Sequence, residues 1–235
     1  MSGWKAKRFW TSATAETCDG GFTVRLDGRP VKTPAKTLLV LPTYELAQAV
    51  AAEWDAQHGE VKPQTMPMTR SANSALDKII PQRAEVVGLL AAYGGTDLLC
   101  YRAASPAELV ARQAAGWDPL IDWAATALNA PLVTTQGVVH VAQDSTVLAR
   151  LTARVDALSP FHLAGFHDLV AITGSLVLAL AVTKGRLTAP EAWTLSRIDE
   201  TWQIEQWGAD DEASTLEAAR HAALLDASRF YALCG

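Results

Sequence analysis

The sequence predicts an α+β protein: a small N-terminal β-rich domain with one helix (residues 1–62), followed by a larger all-α helical domain (residues 63–235). Before residue 42, apolar and polar residues alternate, which is typical of half-buried strands. After residue 42, apolar residues recur at helical spacing. A proline-broken connector, VKPQTMPMT, separates the two patterns at the predicted boundary. A chain of 235 residues is long enough for two such domains.

The β-rich domain is predicted from strand and turn signals. The segment FTVRL (22–26) alternates, and Asp27-Gly28 follows it. This dipeptide favours a type I′ hairpin turn, because both of its central residues need a positive φ. The chain is then expected to return over RPVKT, with further strands at KRFW (7–10) and KTLLVL (36–41). Pro30 and Pro34 indicate edge strands, since proline donates no ladder hydrogen bond.

The helices are predicted from periodicity and capping signals. Thr43 is expected to cap the first helix and Gly59 to end it. SPAE (105–108) and TAPE (188–191) match the capping-box pattern. Further helices are predicted over 69–80, 81–93, 105 toward 117 with a bend at Pro119, 144–158, 188 through the acidic segment, and 211–231. LVAITGSLVLALAV (169–182) is too short to span a bilayer and predicts a buried helix, whereas 132–141 is ambiguous between strand and loop.

Composition excludes several classes of function. The net charge is −5, and no dense Lys/Arg cluster is present, which argues against nucleic-acid binding. Cys18, Cys100 and Cys234 lie far apart without a CxxC spacing. A disulfide framework or structural zinc site is therefore not expected, and a reducing compartment fits. The N-terminus MSGWKAKRFW lacks a secretory signal. We expect no cofactor and no membrane insertion.

Catalytic motifs are few. The sequence contains no phosphate-binding loop, no GxGxxG after a strand, no HExxH and no GxSxG. One alternative stays open, a small-molecule enzyme in which His162, His167 and Asp168 hold a metal or act as a base with its orienting acid. The five-residue spacing places the two histidines on different helix faces, which favours a helix start and a surface histidine instead.

The segment DETWQIEQWGADDEA (199–213) sets two tryptophans among acidic residues. At 100° per residue, one helix face is predicted to hold Leu195, Ile198, Trp202, Glu205 and Ala209. Glu205 would then lie on an apolar face, where a carboxylate is costly unless it is paired. Trp207 points to another side, and Gly208 is expected to end or bend the helix.

Two interpretations of this segment remain open. In the first, the tryptophans are core residues, Glu205 meets an internal arginine, and the acids at 210–212 cap the next helix. In the second, Trp207 with Glu205 and Asp210 forms an aromatic anchor ringed by acids, a composition typical of interface hot spots.

Arg29 and Lys32 are candidates for a second contact from the β-rich domain. The alternative is that they are solvated, outward-facing strand residues.

A series of blocks carries a family resemblance across nearly the whole chain. They are KRFW, LDGRPVKTPAKTLLVLPT, LAQAVAAEW, TDLLCYRA, WDPLIDW, GSLVLALA and DETWQIEQWGADDEA. In this order they resemble the assembly chaperones of the F-type ATP synthase, the type that binds the alpha subunit of the catalytic head (the F-one sector). The combination of LDGRPVKTP with the C-terminal acidic block is specific. Trp10 stands where another aromatic residue is expected.

The resemblance implies a non-enzymatic protein with an N-terminal β unit and a C-terminal helical unit. Such a chaperone binds the unassembled alpha subunit, shields the surface that faces the beta subunit, and leaves on assembly. Transferred to this sequence, the acidic motif implies partner-binding residues at Glu205, Trp207, Gly208, Asp210 and Asp211. Because the targeting extension of the mitochondrial members is lacking, a bacterial cytoplasmic location is expected, against the mitochondrial matrix for eukaryotic relatives.

Overall fold

The structure, a computed structural model, describes residues 7–208 and 210–235. The strands are β1 (Ala13–Cys18), β2 (Gly21–Leu26), β3 (Arg29–Pro30), β4 (Tyr101–Arg102) and β5 (Thr135–Gln136). The helices are α1 (Tyr44–Asp55), α2 (Pro67–Ser74), α3 (Arg83–Ala92), α4 (Ala107–Ala127), α5 (Ser145–Asp156), α6 (Pro160–Thr173), α7 (Leu176–Thr183), α8 (Ala189–Ser196), α9 (Ile198–Trp207) and α10 (Asp211–Leu233). A small N-terminal sheet precedes a larger helical region, which confirms the α+β class.

The N-terminal sheet is antiparallel in the order β1-β2-β3. Leu26 pairs with Arg29, so the intervening turn has two residues, Asp27 at φ +46° and Gly28 at φ +78°. The predicted hairpin turn is confirmed, since a type I′ turn requires positive φ at both residues. The Asp27 carboxylate accepts hydrogen bonds from the backbone N–H groups of Ser12 and Thr11, and these bonds lower its pKa.

Two predicted strands of this region are wrong. Within 7–10, Lys7 makes an isolated bridge to Glu60 and no ladder follows. Arg8 explains this, because its guanidinium holds the segment by donating to the carbonyls of Trp10 and Gln57. Residues 36–41 also make only isolated bridges, to residues 22 and 32. Lys36, at φ +70°, belongs to the turn that precedes them, and its N–H donates to the Thr33 carbonyl at 2.9 Å.

The chain packs into two compact units. The first comprises Met1–Arg83, Ser159–Gly165 and Arg229–Gly235, and the second comprises Ala84–Leu158 and Phe166–Ser228. The predicted domain boundary between residues 62 and 63 stays a prediction.

In the first unit, α1 packs on β1 and β2. Thr43 caps α1 as predicted, because its hydroxyl accepts from the backbone N–H of Leu46 at 3.2 Å. The helix ends at Asp55 with Ala56 as the C-cap, so Gly59 is not its stop signal. The residues predicted as a connector already contain a 3₁₀ turn, Pro63–Thr65, and the start of α2.

The second unit is built around α7, whose residues Leu176–Ala181 are all buried. The predicted single helix over 169–182 is instead divided between α6 and α7, because Gly174 adopts φ +69° and Ser175 caps α7. The fully buried Asp97 carboxylate accepts from the Ser175 hydroxyl at 2.7 Å. It also accepts from the backbone N–H groups of Val177 and Leu99, each at 3.0 Å. Burial raises the pKa of Asp97 despite these hydrogen bonds.

Other helix signals had mixed outcomes. Asp144 caps α5, and Thr188 with Glu191 forms the predicted capping box. The box at Ser105 is wrong, because Pro106 takes the N-cap position and offers no side-chain acceptor. α4 runs through Pro119 as one helix. The ambiguous segment 132–141 contains β5, which pairs in parallel with β4.

No helix in the part of the chain that the structure describes combines the length and apolar character needed to cross a membrane.

Candidate partner-binding site

The acidic segment starts at an interruption between two helices. The sequence predicts one helix from residue 188 onward, but α8 ends at Ser196 and α9 begins at Ile198. Arg197 lies between them and is buried. Its guanidinium donates to the Glu200 carboxylate at 2.7 Å and to the Ile172 carbonyl at 2.5 Å, and it stacks over the Trp193 ring at 4.7 Å. Arg197 therefore sets the direction in which α9 leaves α8.

Glu205 forms an ion pair on the surface of the second unit. Its Oε1 lies 2.8 Å from Nη1 of Arg112 on α4, and both side chains are partly exposed. The Arg112 guanidinium also lies over the Trp202 ring, at 5.1 Å from the centroid. The hydrogen bond from Arg112 lowers the pKa of Glu205 and raises that of Arg112. The Trp202–Arg112–Glu205 stack therefore fixes the carboxylate without burying it.

The residues of the predicted apolar face become more exposed to solvent along α9. Ile198 is buried, Trp202 is half-buried and Glu205 is exposed. Glu205 therefore lies beyond the buried part of this face, and its carboxylate is paired with Arg112. Ala209 lies outside the described residues.

Trp207 closes α9 and is the main exposed apolar group of the segment. Its surface is 78% exposed, so it is not a core residue. Ile204, one helical turn earlier, is 47% exposed and lies on the same side of the helix. The two side chains form an apolar strip at the end of α9.

Gly208 and the acids after it shape the end of the strip. Gly208 ends α9 as predicted: it adopts φ +90° and ψ 165°, and its N–H donates to the Ile204 carbonyl at 2.8 Å. Asp210 Oδ1 accepts from the backbone N–H of Ala213 at 2.8 Å and so caps α10. Asp211 occupies the first turn of α10, where a carboxylate complements the helix dipole. Asp210 is thus a helix cap and Asp211 a first-turn residue, and both are exposed.

Sequence reasoning did not identify Arg112, Arg197 or Trp193. The sequence allows an internal arginine partner for Glu205, but 93 residues separate Glu205 from Arg112 and no local pattern links the two. No pattern in the sequence indicates that Arg197 is buried, because an arginine in a helix is ordinarily exposed.

Arg29 and Lys32 belong to the first unit, and both are exposed. Arg29 opens β3, and Lys32 forms an isolated bridge with Leu38. Val31 and Thr33 between and after them are buried. Their role as a second contact stays a prediction.

The histidines of the alternative site each have a partner of their own. His162 Nδ1 lies 2.8 Å from the Ser159 hydroxyl, and its ring packs edge-on against Tyr231. Burial lowers the pKa of His162. His167 pairs with the adjacent Asp168 at 2.9 Å, which raises the pKa of His167. Within residues 7–208 and 210–235, no group of three or more His, Cys, Asp or Glu side chains is arranged to hold a metal.

Comparison with known proteins gives a consistent family. The family model described as "ATP12 chaperone protein" matches residues 7–125. The protein atp12, mitochondrial, of Schizosaccharomyces pombe is 24% identical over 223 residues, which is 90% of this chain and 77% of that protein.

Solved structures agree over nearly the full length. Atp12 from Paracoccus denitrificans is 53% identical, with a TM-score of 0.95, and the match covers 98% of this chain and 99% of that one. An aspartate-to-lysine variant of the Paracoccus protein matches equally well, with the same identity and TM-score and 98% of each chain covered. A putative chaperone from Agrobacterium tumefaciens is 41% identical, with a TM-score of 0.90, over 96% of this chain and 86% of that one.

These relatives are chaperones and not enzymes, which sets aside the small-molecule enzyme alternative and confirms the resemblance to the ATP synthase assembly chaperones. The chain belongs to the ATP12 chaperone family.

Proposed function

We propose that this protein binds the unassembled alpha subunit of the F-type ATP synthase catalytic head, shields the interface that will meet the beta subunit, and is released on assembly. Two observations carry the proposal on a chain of the ATP12 chaperone family: Trp207 is 78% exposed at the end of α9, and the fixed Glu205 carboxylate lies exposed on another face of the same helix turn. Residues Glu205, Trp207, Gly208, Asp210 and Asp211 form the proposed contact.

The exposed ring has the character of an anchor. Trp207 offers a large apolar surface that its own unit leaves in water, and each square ångström later covered by a partner contributes about 25 cal/mol. Tryptophan is enriched among the few residues that dominate interface energies. Because α9 ends at Gly208, the ring lies at a helix end, where a partner can reach its exposed surface.

The carboxylates around the anchor select the partner. Glu205 is fixed by Arg112 but remains partly exposed, so a basic side chain of the client can approach it at a second oxygen. Asp210 and Asp211 extend the negative surface beyond the ring. Charges at an interface rim mainly raise the association rate and exclude partners of like charge.

Release needs no nucleotide hydrolysis. An obligate subunit interface is larger and more apolar than a transient one, and it aggregates if left uncovered. If the beta subunit buries more surface on the alpha subunit than the chaperone does, it displaces the chaperone by mass action.

The proposed location is the bacterial cytoplasm. The Paracoccus and Agrobacterium relatives are bacterial, and the three cysteines, Cys18, Cys100 and Cys234, are free thiols, which suits a reducing compartment. Arg29 and Lys32 are proposed as a weaker second contact.

The test is capture of isolated alpha subunit by the purified protein. We expect wild type to form a complex, Glu205→Gln to weaken it moderately, and Glu205→Lys to weaken it strongly because it sets two cations side by side with Arg112. Asp122→Lys on α4 is the matched control, since it makes the same charge change at another exposed carboxylate of the unit. Circular dichroism verifies that every variant is folded.

The proposed function fails if gentle purification from native extract yields no alpha subunit and the isolated subunit is not captured. The site assignment alone fails if folded Glu205→Lys and Asp122→Lys bind the alpha subunit equally.

A further inference from the structure

We infer that a groove formed by α8, α9 and α10, next to Trp207, is the socket for an apolar side chain carried on a basic segment of the bound polypeptide. This rests on the proposed function, because it specifies the chemistry of the partner at the same site. The groove encloses about 290 Å³ and lies entirely within the second unit. It is lined by Trp193, Ile204, Asp210, Ala213, Ser214, Glu217, Ala218 and His221.

The walls of the groove are built from three helices. Trp193 of α8 supplies one wall and Ile204 of α9 another. The residues of α10 and its cap recur at positions 210, 213, 214, 217, 218 and 221, which is one face of a helix. Because Ala213 and Ala218 are small, this face leaves open space that a larger side chain would have filled.

The Trp193 wall of the groove is packed against two other side chains. The Trp193 ring stacks on His221 with centroids 5.0 Å apart and an interplanar angle of 30°. On its other side, the same ring packs against the buried guanidinium of Arg197 at 4.7 Å. A preorganised apolar wall of this kind costs little conformational entropy on binding.

The rim of the groove and its surroundings are negative. Residues 199–217 contain seven acids, Asp199, Glu200, Glu205, Asp210, Asp211, Glu212 and Glu217. No Lys, Arg or His occurs anywhere between residues 198 and 219. Asp210 and Glu217 line the groove itself. The segment carries a formal charge of −7. Part of this charge is neutralised, because Arg112 pairs with Glu205, Arg197 pairs with Glu200 and Glu217, and Arg220 lies 3.9 Å from Glu217. The exposed Asp210, Asp211 and Glu212 lie outside these ion pairs, so the surface beside the groove is negative and the complementary partner is basic.

The apolar surface continues out of the groove toward Trp207. Ile204 lines the groove and also belongs to the exposed strip that Trp207 ends. A partner segment that covers the strip can thus insert a neighbouring side chain into the groove. Pockets for small molecules have volumes of about 300–1,000 Å³. The volume of this groove lies at the lower end of that range, so the groove suits one or two side chains.

The probe is a short labelled peptide of alternating Lys/Arg and Leu residues, measured by fluorescence anisotropy against the full-length protein. Two further peptides carry Ser in place of Leu, or Glu in place of Lys/Arg. Ala218→Phe fills the groove from α10, and Ala219→Phe adds the same ring at the adjacent exposed position outside it. Neither substitution touches the core.

We expect the Lys/Arg–Leu peptide to bind wild type and Ala219→Phe with equal affinity. We expect it to bind Ala218→Phe at least about tenfold more weakly. We also expect the Ser and Glu peptides to bind at least about tenfold more weakly than the Lys/Arg–Leu peptide. Equal binding of the Leu and Ser peptides, equal binding to the two Phe variants, or no binding to wild type overturns the inference.

Capture of the alpha subunit by the same variants separates the two proposals. If wild type captures it and both Phe variants do so equally, the groove assignment fails while the proposed function stands. If the peptide behaves as expected but no variant or wild type captures the alpha subunit, the proposed function fails while the groove stands.

Discussion

Two carboxylates of the second unit show how one fold uses the same chemical group in opposite ways. Asp97 is fully buried and accepts three hydrogen bonds, from the Ser175 hydroxyl and the N–H groups of Leu99 and Val177. Glu205 is exposed and meets a single guanidinium, that of Arg112. The first carboxylate has its acceptor positions filled by its own chain and organises the core. The second retains open positions toward solvent, which suits a group that meets another molecule.

The two groups also respond to pH in opposite directions. Burial raises the pKa of Asp97, so its stabilising contribution is present below the ordinary aspartate pKa of 3.8 and declines as the pH rises through the raised value. Arg112 lowers the pKa of Glu205, so the contribution of Glu205 is present above the ordinary glutamate pKa of 4.5 and declines as the pH falls through the lowered value.

The largest expected effect is the loss of stability when the buried carboxylate, Asp97, is removed. Asp97→Ala leaves the Ser175 hydroxyl and two buried N–H groups without an acceptor, and each costs about 1–3 kcal/mol. We expect the free energy of unfolding, measured with urea, to fall by about 3 kcal/mol or more. The exposed Asp122→Ala is the control and should change it by less than about 0.5 kcal/mol. If Asp97→Ala lowers the free energy of unfolding no more than Asp122→Ala does, the buried carboxylate does not organise the core.

The second largest effect is expected for Trp207→Ala, which should weaken partner binding without changing the stability of the fold. Trp207→Ala is expected to weaken capture of the alpha subunit by about 2 kcal/mol, typical of a hot spot, because the ring is free to contact a partner. Its free energy of unfolding should change by no more than about 0.5 kcal/mol. Leu89→Ala on α3, 54% exposed, is the control and should leave capture unaltered. Calorimetric titration measures the affinities, and equal affinities for the two variants would exclude Trp207 as the anchor.

A smaller effect concerns the backbone at the end of α9. Gly208 adopts φ +90°, which a residue with an L side chain rarely adopts, so Gly208→Ala should cost about 1 kcal/mol or more. Gly88→Ala is the matched control: Gly88 lies inside α3 with ordinary φ, and its added methyl group meets no atom within 4 Å either. That variant should be stabilised by about 0.5–1 kcal/mol. Opposite signs in thermal unfolding would show that strain at position 208 is a backbone property and not a steric one.

The smallest effect is the pH response of Glu205. Its titration midpoint, followed by carbon-detected NMR, should lie below that of an ordinary glutamate, because Arg112 stabilises the ionised form. Arg112→Gln should move the midpoint upward, and added salt should reduce the difference since the pair is exposed to solvent. An unchanged midpoint in Arg112→Gln would show that the ion pair does not persist in solution.

Local signals in the sequence determined the elements that were predicted well. Asp27-Gly28 makes its turn, and Thr43, Asp144 and Thr188 cap their helices, because each signal acts within a few residues. The SPAE pattern failed at the same scale, since Pro106 displaces Ser105 from the cap position.

Contacts between distant residues were beyond sequence reasoning. Asp97 and Ser175 are 78 residues apart, and Glu205 and Arg112 are 93 apart, so no periodicity connects them. The break at Arg197 depends on the Ile172 carbonyl and the Trp193 ring, both of which are supplied by packing. The exposure of Trp207 likewise follows from where α9 stops and not from its composition.

The open surroundings of Gly208 allow a D-amino acid to be placed at this position. Apart from its two chain neighbours, no atom of the described residues lies within 4 Å of a methyl group placed at this position, so the positive φ is what disfavours an L side chain. A D-alanine introduced by chemical ligation takes a positive φ without strain, and would fix the turn that L-alanine disfavours. A D-residue at position 208 would therefore restrict the backbone at the end of α9 without a clash with the described residues around it.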